Sequence, residues 1–188
     1  MTTVDRVPAF SIEIFFDHVT EEAIRQAWDD LSVPARSDYM REHGVFPHVA
    51  LAVIDDTTDV VRLQVALGKL ATQIPAAALD FSGIGGFPGV SGSVYLGFKK
   101  NDPLARAHAR VADLLKDAGV ANHVYYQADM WVPHCTLAEE FCRDYSEEVF
   151  KAAKLHDWSL PFIVDRLALV HYPPTILVAS WKLQTRQI

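Results

Sequence analysis

At 188 residues, half of them hydrophobic and 22% charged, the chain has the composition of a soluble globular protein with material for a substantial core. A net charge of −7, with Lys99-Lys100 as the single adjacent basic pair, excludes broad sequence-independent binding to nucleic acid, which needs an extended basic surface to displace counterions. No apolar run reaches membrane-spanning length, Met1 to Phe16 lacks the pattern of a secretory signal, and Cys135 and Cys142 read as reduced thiols, so the expectation is a cytoplasmic protein without membrane association.

Ala9 to Phe16 alternates Phe10, Ile12, Ile14 and Phe16 against Ser11, Glu13 and Phe15, the period of a strand. Thr20 offers a helix N-cap, Glu21 and Glu22 suit the positive end of a helix dipole, and Ile24, Ala27, Trp28 and Leu31 recur at helical spacing until Ser32-Val33-Pro34. A polar loop from Ala35 to Phe46 leads to a strand from His48 to Ile54. From about Asp59, Leu63, Ala66, Leu67, Leu70 and Ile74 form a second helical stripe, stopped by Pro75. Ala77 to Phe87 is a strand that loosens into Gly83 to Gly89; this run lacks the spacing of either common nucleotide-binding loop and reads as a turn.

The order then restarts. Ser93 to Phe98 is a strand, Asp102-Pro103 opens a helix whose inner face carries Leu104, His108, Val111 and Leu115, and a loop with His123, Tyr125 and Tyr126 leads to a strand from Trp131 to Ala138. His108, on that apolar stripe, reads as a core residue. Asp144 and Glu147 suit a capping box for a helix to about His156, and strands Leu160 to His171 and Ile176 to Leu183 close the chain. His48 and His134 lie 86 residues apart, Ile12 and Leu96 84, Phe81 and Arg166 85. This near-constant offset predicts a duplicated α+β fold, β-α-β-α-β twice. One bilobal domain over 1–188, with lobes of about 9–87 and 93–184, would place two antiparallel sheets around a central cleft.

The offset aligns two short stretches, Phe46-Pro47-His48-Val49-Ala50-Leu51 and Val132-Pro133-His134-Cys135-Thr136-Leu137. In a strand, alternate side chains share a face, so His48 with Ala50, and His134 with Thr136, face the cleft while their neighbours enter the core. Ala52 and Ala138 would extend those faces, and Glu139 would point away if the strand stays regular. Two imidazoles across one cleft form an acid–base pair, because an unperturbed value near 6.5 lets one be neutral and the other charged. Thr136 is equipped to hold a phosphate oxygen and Ala50 is not. Neither strand offers a second metal ligand beside its His, so neither a metal site nor a cofactor is expected.

Paired His-x-Thr/Ser motifs on equivalent strands of a duplicated fold resemble the 2H phosphoesterase superfamily. The Gly-Phe-Pro turn before Val94-Tyr95-Leu96 is similar to its 2'-5' RNA ligase (LigT-like) group. The resemblance runs from Phe10 to Leu183. It implies His48 and His134 as catalytic residues, Thr136 as a phosphate contact, and metal-independent action on 2',3'-cyclic phosphates or 2'-5' linked nucleotides. Ala50 stands where the family carries Thr or Ser, so the first-motif hydroxyl does not transfer. A small nucleotide or RNA end is the expected substrate of a monomeric enzyme. Arg36, Arg41, Tyr39, Phe87, Tyr126 and Tyr172 are further candidates for binding it, and His43 and His123 lie in loops from which they could reach it. The alternative is a 2H-like module that binds a phosphorylated nucleotide without turning it over.

Overall fold

The computed structural model describes residues 8–56 and 58–185, so the reading of Met1–Val7 as free of a targeting signal lies outside it. Its strands are β1 (Ala9–Phe16), β2 (His48–Asp55), β3 (Ala77–Leu79), β4 (Phe81–Gly85), β5 (Gly92–Phe98), β6 (His134–Phe141), β7 (Phe162–Tyr172) and β8 (Ile176–Lys182). Its helices are α1 (His18–Ala35), α2 (Tyr39–Glu42), α3 (Val60–Ala71), α4 (Asp102–Asp117) and α5 (Ser146–Ala153). The short helix α2 lies inside what the sequence offered as a loop.

Local chemistry sets the helix ends. Asp17, not Thr20, caps α1: its carboxylate accepts the Thr20 N–H at 2.9 Å, while the buried Thr20 hydroxyl donates to Pro161 O. The helix runs through Pro34 to Ala35 and stops where Arg36 turns left-handed at φ 51°. Asn101 rather than Asp102 caps α4, with Pro103 in its first turn. The expected capping box does not form: a 3-10 turn at Arg143–Tyr145 leads into α5, which has no side-chain cap and ends at Ala153.

Both sheets are antiparallel, and together with the five helices they make the α+β, two-sheet architecture read from the sequence. The first runs β2-β1-β7, with β3 and β8 sharing the far edge of β7; the second runs β4-β5-β6. The strands do not divide as consecutive lobes of 9–87 and 93–184 would. β7 and β8, from the second half, complete the first sheet, and β4, from the first half, completes the second. The expected strand Ala77 to Phe87 breaks at Asp80, sending β3 to β7 and β4 to β5. A two-stranded hairpin is marginal by itself, and here each half takes its third strand from the other.

The helices are exchanged in the same way. α1 and α5 pack on the second sheet and α3 and α4 on the first. One continuous apolar cluster, with Ile12, Ile14, Leu51, Leu96 and Leu137 at its centre, joins both sheets to the helices around them. The opposite sheet faces look toward each other across a cleft.

Candidate active site

His48 opens β2 and His134 opens β6. The two strands begin alike: Pro47 and Pro133, which donate no N–H, stand immediately outside them, and Trp131 to Pro133 lie before β6 rather than within it. Each imidazole is tied to its own chain in the same way. Nδ1 of His48 lies 2.7 Å from Phe46 O, and Nδ1 of His134 lies 2.7 Å from Val132 O. A carbonyl only accepts, so both Nδ1 atoms carry the proton, and Nε2 is left on each ring for chemistry.

Both strands then bulge at equivalent leucines. Glu13 of β1 pairs with Ala50 and Ile12 with Ala52, leaving Leu51 as the extra residue; Tyr95 of β5 pairs with Thr136 and Val94 with Ala138, leaving Leu137. The bulge reverses the alternation beyond it. Ala52 and Ala138 therefore enter the core instead of extending the cleft face, and Glu139, expected to point away, lines the cleft. The register also pairs the halves residue by residue: Glu13 beside Ala50 corresponds to Tyr95 beside Thr136.

His48, Ala50, His134 and Thr136 line one cleft of about 160 Å³, together with Glu13, Ser11, Tyr39, His43, Tyr126, Glu139 and Tyr172. Two tryptophans brace it. Trp28 of α1 donates its indole N–H to Thr136 O at 3.0 Å, and Trp131 donates to Ala50 O at 2.9 Å, so each motif is held by an indole from the other half. Buried His108 stacks on Trp131 at 4.0 Å and, with Asn122, donates to Tyr126 O, which fixes Tyr126 at the cleft wall. Tyr39 stacks on His43 at 4.0 Å and forms another wall.

The surroundings of the two imidazoles differ. Phe87 meets the His134 ring edge-on at 4.8 Å and Tyr95 lies 5.3 Å from it, so this imidazole is desolvated. Burial pushes its pKa down to about 4; the bond to Val132 O works against the fall, and nearby His48 adds to it. His48 instead has a carboxylate neighbour, with Glu13 Oε1 3.5 Å from its Nε2. Burial raises the Glu13 pKa, while His48 and a hydrogen bond with Ser11 oppose the rise. Cys135, beside His134 in sequence, is a buried free thiol pushed up to about 12 by burial, so it is no nucleophile; Cys142 is also free.

The remaining candidates divide. Tyr39, Tyr126 and Tyr172 line the cleft, as does His43, and Phe87 reaches it by its contact with His134. Arg36 and Arg41 do not line it. The Arg36 guanidinium lies over the Tyr145 ring and donates to its hydroxyl at 3.0 Å, and Arg41 pairs with Asp29. His123 sits in an adjoining groove with Tyr125, Tyr126 and Tyr172. Sequence reading missed Glu13 as a site residue. Its signal was a lone carboxylate in the middle of a strand that is apolar apart from Ser11. Among the described residues no group of three or more His, Cys, Asp or Glu side chains is arranged to hold a metal ion, and no helix is long and apolar enough to cross a membrane.

The profile of the 2'-5' RNA ligase superfamily matches residues 17–174, a span that contains both His motifs and most of the two sheets. The chain belongs to the 2'-5' RNA ligase superfamily. Solved structures share its fold at low identity. The protein TT0787 of Thermus thermophilus superposes with a TM-score of 0.59 at 14% identity, covering 95% of this chain and 100% of that one. Apo E. coli LigT gives 0.55 at 17%, covering 95% and 99%, and Kluyveromyces marxianus Usb1 gives 0.51 at 13%, covering 96% and 100%. No curated protein sequence matches the chain significantly. The superfamily member described here thus has the 2H phosphoesterase fold, with a Thr in its second motif and an Ala in its first.

Proposed function

We propose that this protein is a metal-independent phosphodiesterase that acts as a monomer on 2',3'-cyclic phosphate or 2'-5' linked nucleotides or RNA ends, with His134 as general base and His48 as general acid. The observation that carries the reading is the pair of imidazoles on one cleft, each with Nδ1–H spent on its own backbone and Nε2 left for substrate. His134 is neutral near pH 7 because its surroundings disfavour charge, so its Nε2 lone pair can take the proton of an attacking water. The water oxygen bonds to phosphorus, the bond from phosphorus to the leaving ribose oxygen breaks, and His48 Nε2–H delivers a proton to that oxygen. Glu13 stabilises the positive charge on His48 before transfer. The Thr136 hydroxyl donates to a non-bridging oxygen where negative charge accumulates. Tyr39, Tyr126, Tyr172 and Phe87 offer aromatic faces for the base or ribose.

The test is hydrolysis of 2',3'-cyclic nucleotides and 2'-5' linked dinucleotides in excess chelator. Turnover by wild type and its loss by about a hundredfold or more in His48→Ala and His134→Ala are expected. Activity that vanishes with chelator and returns with a divalent ion contradicts the metal-free mechanism. A wild type that binds these ligands without turnover points to the non-catalytic nucleotide-binding module.

A further inference from the structure

The first motif lacks its hydroxyl, yet the space beside Ala50 is not simply open. Glu13 is the cross-strand neighbour of Ala50 on the cleft face, its side chain is only 5% exposed, and Oε1 lies 3.5 Å from His48 Nε2. That nitrogen is the one the Phe46 carbonyl leaves for substrate. In the other half the equivalent position holds Tyr95, an uncharged residue, beside Thr136. The two halves therefore present a phosphate with a carboxylate on one side and a hydroxyl on the other.

Resting on the phosphodiesterase reading above, we propose that Glu13 is a specificity-determining residue, which admits the single negative charge of a phosphodiester and disfavours the double charge of a phosphomonoester. An oxygen that accepts from His48 Nε2–H at about 2.9 Å lies no more than about 6.5 Å from Glu13 Oε1. At that range, with an effective dielectric near 20, each extra unit of negative charge on the ligand costs a factor approaching a hundred in affinity. The charged His48 imidazole attracts either ligand, and Glu13 counters that attraction most strongly for the dianion; beyond His48, little offsets the carboxylate within the cleft. Among the described residues no Lys or Arg lines it; His134 is held neutral by its surroundings, Glu139 adds a second carboxylate from β6, and α2 with the loop after it contributes Tyr39 and His43. Tyr126 and Tyr172 complete the titratable groups that face it. The consequence is directional: the diester enters, and the monoester that hydrolysis produces leaves readily.

The experiment compares KM for adenosine 2',3'-cyclic phosphate with inhibition by adenosine 2'- and 3'-monophosphate at pH 8, where the monoesters are dianions. Wild type and Glu13→Gln are measured, with Glu13→Ala as a second uncharged variant should the first fold poorly. Both variants are expected to tighten monophosphate inhibition by at least about tenfold relative to the cyclic KM. A purely structural role would move both ligands together, so an unchanged ratio overturns the proposal. So does parallel weakening of both ligands, which would make Glu13 a hydrogen-bond donor to phosphate. A wild type that neither turns over the diester nor is inhibited by the monoesters contradicts the phosphodiesterase reading itself, and this proposal with it.

Discussion

Thr136 and Ala50 occupy matched positions with different chemistry, and the difference gives the sharpest residue-scale test. Thr136→Ala removes a hydroxyl that would bond to a charged oxygen and is expected to weaken transition-state binding by about 1.5–3 kcal/mol, read as kcat/KM on a cyclic phosphate. Ala50→Thr is expected to gain little alone, because the added hydroxyl must share the cleft face with Glu13. Combined with Glu13→Gln it should gain more than the sum of the single changes, a non-additivity that a double-mutant cycle measures directly. The pH profile follows from the two imidazoles. Activity is expected to hold below pH 6 and fall only as His134 gains its proton near pH 4. An acid limb near 6.5 would mean that the ring is not desolvated. The His-x-Ala and His-x-Thr pairs were legible in the sequence because a strand's period fixes the face of each side chain. Glu13 was not, since period alone cannot tell a carboxylate facing water from one facing an imidazole.

Among the elements, the longer strands and helices came through because their periods are strong, and β1 spans the residues its alternation marks, whereas the four-residue α2 and the break between β3 and β4 did not. The bulges at Leu51 and Leu137 did not, for the extra residue is of the same apolar type as its neighbours and leaves no local signature. Their consequence was the inverted placement of Ala138 and Glu139. The indole braces were equally hidden, since Trp28 and Trp131 meet carbonyls far away in the chain. Replacing Trp131 with Phe leaves the buried Ala50 carbonyl without its donor and is expected to cost about 1–3 kcal/mol of stability in denaturant unfolding, together with turnover. Gly85 carries a related demand. A Cβ there would stand 2.5 Å from the Tyr95 ring, so Gly85→Ala should displace Tyr95, loosen its packing with Phe87 against His134, and raise the His134 pKa toward its ordinary value in an NMR titration. An unmoved His134 titration would show that the aromatic wall does not set its state.

Across the whole molecule, the sequence offset showed duplication but not exchange, because which half supplies a third strand is decided by long-range pairing that no local pattern encodes. Exchange has a thermodynamic consequence. Neither half owns a complete sheet, so the chain is expected to unfold in one transition, with calorimetric and van't Hoff enthalpies in agreement, and a fragment ending near residue 90 should not fold. The folded state disfavours protonation of His134. Below pH 6.5 the unfolded chain therefore binds the additional proton, and stability from this group is present above 6.5 and lost as pH falls toward 4. His134→Gln should flatten that part of the stability profile. The same exchange that makes the fold indivisible brings one His from each half to a common cleft, where we propose that the two act as one acid–base pair. That pairing is tested most directly by turnover of a 2',3'-cyclic nucleotide in excess chelator by wild type, His48→Ala, His134→Ala and the double variant. Each single change is expected to cost at least about a hundredfold, and the double change far less than the product of the two. Full activity in either single variant would contradict the pairing.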